Sequence, residues 1–325
     1  MSAPRPEELP PPPPGREGWP WQADPSPPPA EPAGGWPLVS ALIPCRNAGD
    51  FLEAALRSLL LQGYPALELI VVDGASTDHT LEVARRYRPW LAHLISEPDR
   101  GQSHALNKGL ALARGEFVCW LNADDLWLPG ALFTLAAALA AAPGAPLATG
   151  GTVYLDAAGN EISREPARFS SWADYALRRC MIRQSASLFR RRAVEAAGGW
   201  DESLSYTMDR DLLLRLTRQA PPAIVSQAVG AYRVHGGAKT RRADTLVARV
   251  AESDRMTARH LAGTPWLKEF RRQRAFAWLE LATRPGLSSR ARLRALGHAL
   301  GHHPLVAAYP DFRRALAVVL RGGGR

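Results

Sequence analysis

From Leu38 onward the chain alternates short apolar runs with stretches whose apolar residues recur every three or four positions. "LVSALIP" (38–44) and "ELIVVDGA" (68–75) are rich in β-branched residues and end in turn formers, which predicts two buried strands. Between them "DFLEAALRSLLLQ" (50–62) has helical spacing, with Asp50 placed as its cap. A helix over about 78–88, a strand at 92–98, a helix at 102–114 and a strand at 116–122 continue the series. Repetition this regular predicts an α/β fold with a mostly parallel sheet flanked by helices. In such sheets ligands bind at the carboxyl ends of the strands. After Gly130 the order loosens. A hairpin is expected from 146–156 and 161–165, a helix at 174–179, a strand at 185–191, a helix at 210–219 and a last strand at 228–235. Arg-rich helical segments follow.

Composition divides the chain further. Residues 1–37 hold 14 of the 28 prolines, including Pro10–Pro14, and are expected to form an extended, disordered leader. This leader lacks the apolar core of a signal peptide. Three scattered cysteines, Cys45, Cys119 and Cys180, suit neither a disulfide framework nor a zinc site and fit a reducing cytoplasm. The longest apolar stretch, Ala131–Ala142, falls short of the ~20 residues a bilayer requires. The net charge of +9 is uneven: residues from Ala238 onward carry +12 and the remainder −3. Only Lys108, Lys239 and Lys268 are lysines, so the basic tail is arginine. No nucleic acid is expected as a partner, because the basic character lies away from the chemistry-bearing part.

That chemistry centres on "CWLNADDLW" (119–127), where an apolar run ends in Asn122, Ala123, Asp124 and Asp125. Adjacent carboxylates repel unless a cation or donors stand between them. One explanation is a helix cap; the other is a divalent metal carrying a phosphate. The first strand–helix turn, "PCRNAGD", lacks G-x-G-x-x-G, and no G-x-x-x-x-G-K-[ST] occurs, so a dinucleotide fold and a P-loop are both excluded. Phosphate then needs another counter-charge, and Asp124 with Mg²⁺ or Mn²⁺ is the natural candidate.

"ALIPCRNAGDFLEAALRSLLLQ", "ELIVVDGASTDHT", "SEPDRGQSHALNKGLALARGE", "LNADD", "QSASLFRR", "GGWDESL", "MDRDLLLRL" and "YRVHGGAKT", in this order and spacing, resemble an inverting family 2 glycosyltransferase of GT-A fold over residues 38–240. The resemblance implies a nucleotide-diphospho-sugar donor, a UDP-sugar being favoured. Its contacts fall on Pro44, Arg46, Asn47, Asp73, Arg100, Asn122, Ala123 and Asp124. Asp73 is placed at the nucleobase, and Arg46 stands where an aromatic is common. The metal falls to Asp124, with Asp125 and His235 as further ligands. The general base falls to Asp209, with Gln184, Trp200 and Asp211 on the acceptor or supporting side. Two positions depart from the family pattern: Asn122 in place of the first acid of D-x-D, and Met208 in place of the Glu of a Glu-Asp pair.

Processive members carry Q-x-x-R-W and membrane helices, and "RQRAFAW" (272–278) has the wrong spacing, so one sugar per encounter is expected. The acceptor would be a glycan or a lipid-linked glycan. The segment 266–282, with Trp266, Phe270, Trp278 and clustered arginines, suggests packing on the catalytic domain or peripheral contact with the inner face of the membrane. Two rivals remain: a sugar-1-phosphate nucleotidyltransferase, whose early G-x-G-x-R…K loop is missing, and a degenerate GT-A scaffold, suggested by Asn122 and Met208. The domain expectation is a leader at 1–37, a catalytic domain at 38–240 and a helical extension at 241–325.

Overall fold

The computed structural model describes residues 4–24, 26–237 and 245–321. They form two compact units, one of residues up to Tyr175 plus Cys180–Val234, the other of Ala176–Arg179 plus the chain from His235. The boundary expected at 240/241 and the end of "YRVHGGAKT" lie outside the described residues.

In the first unit the alternating pattern becomes β1 (Val39–Cys45), α1 (Gly49–Leu60), β2 (Leu67–Asp73), α2 (Thr80–Arg86), β3 (Leu91–Ser96), α3 (Gln102–Leu112) and β4 (Phe117–Trp120). There follow β5 (Leu126–Trp127), α4 (Ala131–Ala141), the hairpin β6 (Leu147–Leu155) and β7 (Glu161–Glu165), and the short α5 (Trp172–Ala176). β8 (Ser187–Arg190), α6 (Arg191–Ala196), α7 (Met208–Thr217) and β9 (Ala223–Arg233) complete it. The described strands make one sheet in the order β3-β2-β1-β4-β8-β6-β9-β5, with β7 beside β6. β1 lies parallel between β2 and β4, and β2 parallel to β3. β8 runs antiparallel between β4 and β6, and β9 returns parallel to β6. Every residue of β1, β2 and β4 is buried, which is why these strands read as unbroken apolar runs rather than alternations.

Two boundaries differ from the sequence reading for a local reason. Helix α1 is not capped by Asp50, which lies in its first turn behind the N-cap Ala48. Its open amides are met from the next loop: Gly49 N donates to Asp78 Oδ2 at 3.0 Å and Ala48 N to Thr80 Oγ1 at 2.8 Å. Helix α7 begins at Met208, two residues earlier than expected, because buried Met208 belongs to its apolar face.

The leader departs most from expectation. Its apolar side chains dock: Leu9 is buried in the main core, Trp36 packs edge-on to Phe133, and Trp19 Nε1 donates to the Trp127 carbonyl at 2.7 Å. Buried Arg57 on α1 donates to the carbonyls of Pro10 (2.8 Å), Pro20 (3.0 Å) and Trp21 (3.0 Å). A proline-rich segment offers carbonyls that no ladder uses, and one guanidinium gathers three of them. Arg57→Ala leaves those acceptors unpaired. It is expected to destabilise by about 3 kcal/mol and to open the leader to protease, read by chemical denaturation and limited proteolysis.

The second unit holds α8 (Leu246–Leu261), α9 (Trp266–Thr283), α10 (Ser289–His302) and α11 (Pro310–Arg321). Ala275, Trp278, Leu279, Ala295, Leu296, Ala299 and Val319 form its core. Buried Asp254 accepts from Trp278 Nε1 at 2.7 Å and pairs with Arg274 at 2.7 Å. Phe270 and Trp278, two of the three aromatics of the segment expected to pack or to meet a membrane surface, are interior residues of this unit. No helix among the described residues is long and apolar enough to cross a membrane.

Candidate nucleotide-sugar site

The carboxyl ends of β1, β2 and β4 sit side by side, since Cys45 pairs with Asp73 and Leu42 with Trp120 in the ladders. Loops leaving β1 and β2 are laced together. Asn47, with φ +51°, donates its backbone N–H to Ser76 Oγ (2.8 Å) and accepts Thr77 N–H at Oδ1 (2.8 Å). Asn is among the few non-glycine residues that tolerate this conformation. Pro44 is buried in β1, while Arg46 stays exposed beside Gly74. Asp73 is fully buried and accepts from Ser76 N–H, the Ser76 hydroxyl and, at 2.6 Å, the Ser96 hydroxyl. Asp73 thus caps the turn that follows β2.

Past β4, Asn122 is a hub. Its Oδ1 accepts from the Trp120 indole and the Gln102 amide, both at 2.7 Å, and its Nδ2 donates to Asp125 Oδ2 at 3.0 Å. An aspartate could not make that donation and would add a third carboxylate beside Asp124 and Asp125. The amide in the first place of the motif is therefore explained by local structure. Ala123 is buried beneath the turn.

Asp125 departs from its expected role as ligand. It is buried, with Oδ1 taken by Arg233 N–H (3.0 Å) and Oδ2 by Asn122. Burial, aided by the neighbouring Asp124 charge, pushes its carboxyl well above the usual range, against Arg233 and Asn122. Asp124 is half-buried, and its carbonyl accepts Arg233 Nε at 3.1 Å. Arg233, buried at the end of β9, was passed over in "YRVH" in favour of His235. Burial lowers its pKa while Asp125 and Asp124 pull the other way. His235 begins the second unit.

Asp209 occupies the first turn of α7, one residue inside the helix rather than at its cap. Burial raises its pKa above the ordinary carboxylate value; the Arg210 amide and the charges of Arg210 and Arg183 oppose this. Arg183 also pairs with Glu165 at 3.1 Å and lies over the Tyr154 ring. Burial works against its charge, but Tyr154, Glu165 and Asp209 together hold its pKa above the ordinary value. The adjacent Gln184 is buried and donates to the Trp120 carbonyl. Arg183, whose charge acts on Asp209, is thereby next in sequence to a residue bonded to the end of β4, two positions before Asn122. Sequence reasoning stopped at Gln184 and missed Arg183, one residue before it.

Three further expectations resolve into structural roles. Trp200 is no pocket floor: it is fully buried, edge-on to Trp120 at 5.9 Å, and both its backbone N and O bond to Asn107 at 2.9 Å. Asp211 is buried and accepts from its i+4 neighbour Arg215 (2.9 Å), which reaches on to the Ala197 carbonyl. Arg100, largely exposed, pairs with Glu202 at 2.6 Å.

Among the described residues no group of three His, Cys, Asp or Glu gathers into a metal cage. The donor set fits a cation that arrives on a diphosphate, since Mg²⁺ and Mn²⁺ are held in such sites by one or two carboxylates plus phosphate oxygens.

The sequence model of glycosyl transferase family 2 matches residues 40–196. The chain is 36% identical over 99 residues to the uncharacterized glycosyltransferase YibD of Escherichia coli (strain K12), 30% of this chain and 29% of that protein. It is 38% identical over 94 residues to the putative teichuronic acid biosynthesis glycosyltransferase TuaG of Bacillus subtilis (strain 168), 28% and 37% of the two. The matches span about a third of these relatives. Among solved structures, S. aureus TarS 1–349 in complex with UDP-GlcNAc superposes with a TM-score of 0.64 at 18% identity, covering 88% of this chain and 89% of that one. The mannosyltransferase PcManGT of Pyrobaculum calidifontis, in complex with GDP-Man and Mn²⁺, gives 0.51 at 23% identity, covering 90% and 88%. The fold is GT-A, and residues 40–196 carry a family 2 glycosyltransferase domain.

Proposed function

We propose that this chain is an inverting, non-processive glycosyltransferase. It moves one sugar from a nucleotide-diphospho-sugar, a UDP-sugar being favoured, to a hydroxyl of a glycan or lipid-linked acceptor in surface-glycan assembly. The observation that carries this reading is Asp209, a half-buried acid with a raised pKa in the field of Arg183, whose neighbour Gln184 donates to the Trp120 carbonyl just before the Asn122–Asp125 turn. Inverting transfer needs one carboxylate to take the acceptor proton as that oxygen attacks the anomeric carbon. It also needs positive charge at the departing diphosphate. Asp124 would hold Mg²⁺ or Mn²⁺ there, and the bound ion would offset the diphosphate charge. Arg46 and Asn47 would line the nucleotide beside Asp73. The Arg183 charge opposes the rise in the Asp209 pKa, and Asp125, clamped by Arg233 and Asn122, holds the turn in shape.

The scaffold reading loses its main support, because Asn122 has a structural reason to be an amide and Met208 is a core residue. Titration calorimetry with UDP- and GDP-sugars, with and without Mn²⁺, tests the proposal. Metal-dependent binding accompanied by slow donor hydrolysis is expected; no binding by any donor leaves the scaffold.

The pH profile supplies a further check. A base must be ionised to act, so with Asp209 raised the acid limb of kcat lies above the ordinary Asp value of about 3.9. Arg183→Gln removes a cation that favours the carboxylate, so the limb moves to higher pH. An unmoved limb in a folded variant overturns the pairing of these residues.

A further inference from the structure

We propose that the second unit carries a docking surface for an anionic lipid bilayer, on the hairpin formed by α10, the turn after it, and α11. This inference does not depend on the transferase reading. Its large aliphatic side chains point outward: Leu305 is 70% exposed, Leu320 72% and Leu293 55%, with Leu300, Tyr309 and Leu316 also in the open. Single exposed leucines are ordinary; six large apolar side chains within 28 residues of one helical hairpin are not. Their spacing is helical. Leu293 and Leu300 stand seven apart on α10, and Leu316 and Leu320 four apart on α11, so each helix presents a stripe while Ala295, Ala299, Ala315 and Val319 fill the core behind.

Charge decides the occupant. Exposed Arg290, Arg294, Arg313 and Arg314 flank the leucines, and Asp311 is the one acid between Ser289 and Arg321. A helix pair with aliphatic stripes and a cationic rim matches headgroup phosphates above and acyl chains below. An apolar protein partner would leave the arginines without counter-charge. The surface lies on α10–α11 and not on residues 266–282, whose Phe270 and Trp278 are interior.

The test is flotation of the full chain with phosphatidylcholine vesicles, alone or containing about one third phosphatidylglycerol. Binding to the anionic vesicles, little to the neutral ones, and release by high salt are expected. Leu305→Asp/Leu320→Asp should lower the partition coefficient at least about tenfold while the melting temperature and donor binding stay unchanged. Arg313→Gln/Arg314→Gln should weaken anionic binding without disturbing the fold. No flotation of the wild type, or flotation indifferent to both pairs of changes, overturns the proposal. So does a concentration-dependent dimer in sedimentation that the leucine changes dissolve, which would make the face a self-interface.

Discussion

Asp209→Asn will bind donor within about twofold of wild type and lose transfer by about 10²–10⁴-fold, the range that a positioned general base contributes. Asn keeps the volume and can still face Arg183 and the Arg210 amide, so α7 has no reason to unwind. What disappears is the ability to hold a proton. The split between binding and turnover matters, because a merely structural Asp209 would move both together or neither. Slow hydrolysis of the donor by water, which also needs deprotonation, should fall along with transfer. Transfer at the wild-type rate by a folded Asp209→Asn protein would put the base elsewhere.

Asp124→Ala will have the next largest effect, weakening donor binding in Mn²⁺ by about 10–100-fold and abolishing most of its dependence on the metal. Asp125→Asn provides the contrast. Both Asp125 oxygens are taken by donors, so the amide would set one N–H₂ against either Arg233 N–H or Asn122 Nδ2. A misfit of this kind costs about 1–3 kcal/mol. Denaturant unfolding should therefore register Asp125→Asn more strongly than Asp124→Ala, and calorimetric donor binding the reverse. Equal effects of the two variants on the metal requirement would mean that Asp125 is a ligand after all.

Much of this arrangement can be read from the residues. The unbroken apolar runs of β1, β2 and β4 are legible because strands buried on both faces leave no room for polar alternation. The hairpin of β6 and β7 is legible from its turn, and the acidic turn at 122–125 from carboxylates that need an explanation. Other features depend on partners distant in sequence. Arg57 lies in an ordinary helical pattern, and nothing local says that Pro10, Pro20 and Trp21 will come to it. Composition marked the leader as unable to build a core of its own, which is sound, but it borrows the core of the sheet instead. Arg233 and Arg183 look like any other arginines in an Arg-rich chain; the burial of Arg233 beside Asp125 and the charge of Arg183 on Asp209 come from the tertiary fold. Trp200, expected on the acceptor or supporting side, is buried against Trp120, a partner that nothing local in the sequence announces.

The proposed function requires one spatial arrangement: the acid of α7 and the turn after β4 facing a common cleft that holds the sugar. A crystal structure of the Asp209→Asn variant with an intact UDP-sugar and Mn²⁺ addresses it directly. The account predicts density for the diphosphate and ion against Asp124, with the anomeric carbon exposed toward residue 209. A donor seated away from both residues, or a sugar turned from α7 with the ion held elsewhere, would contradict it.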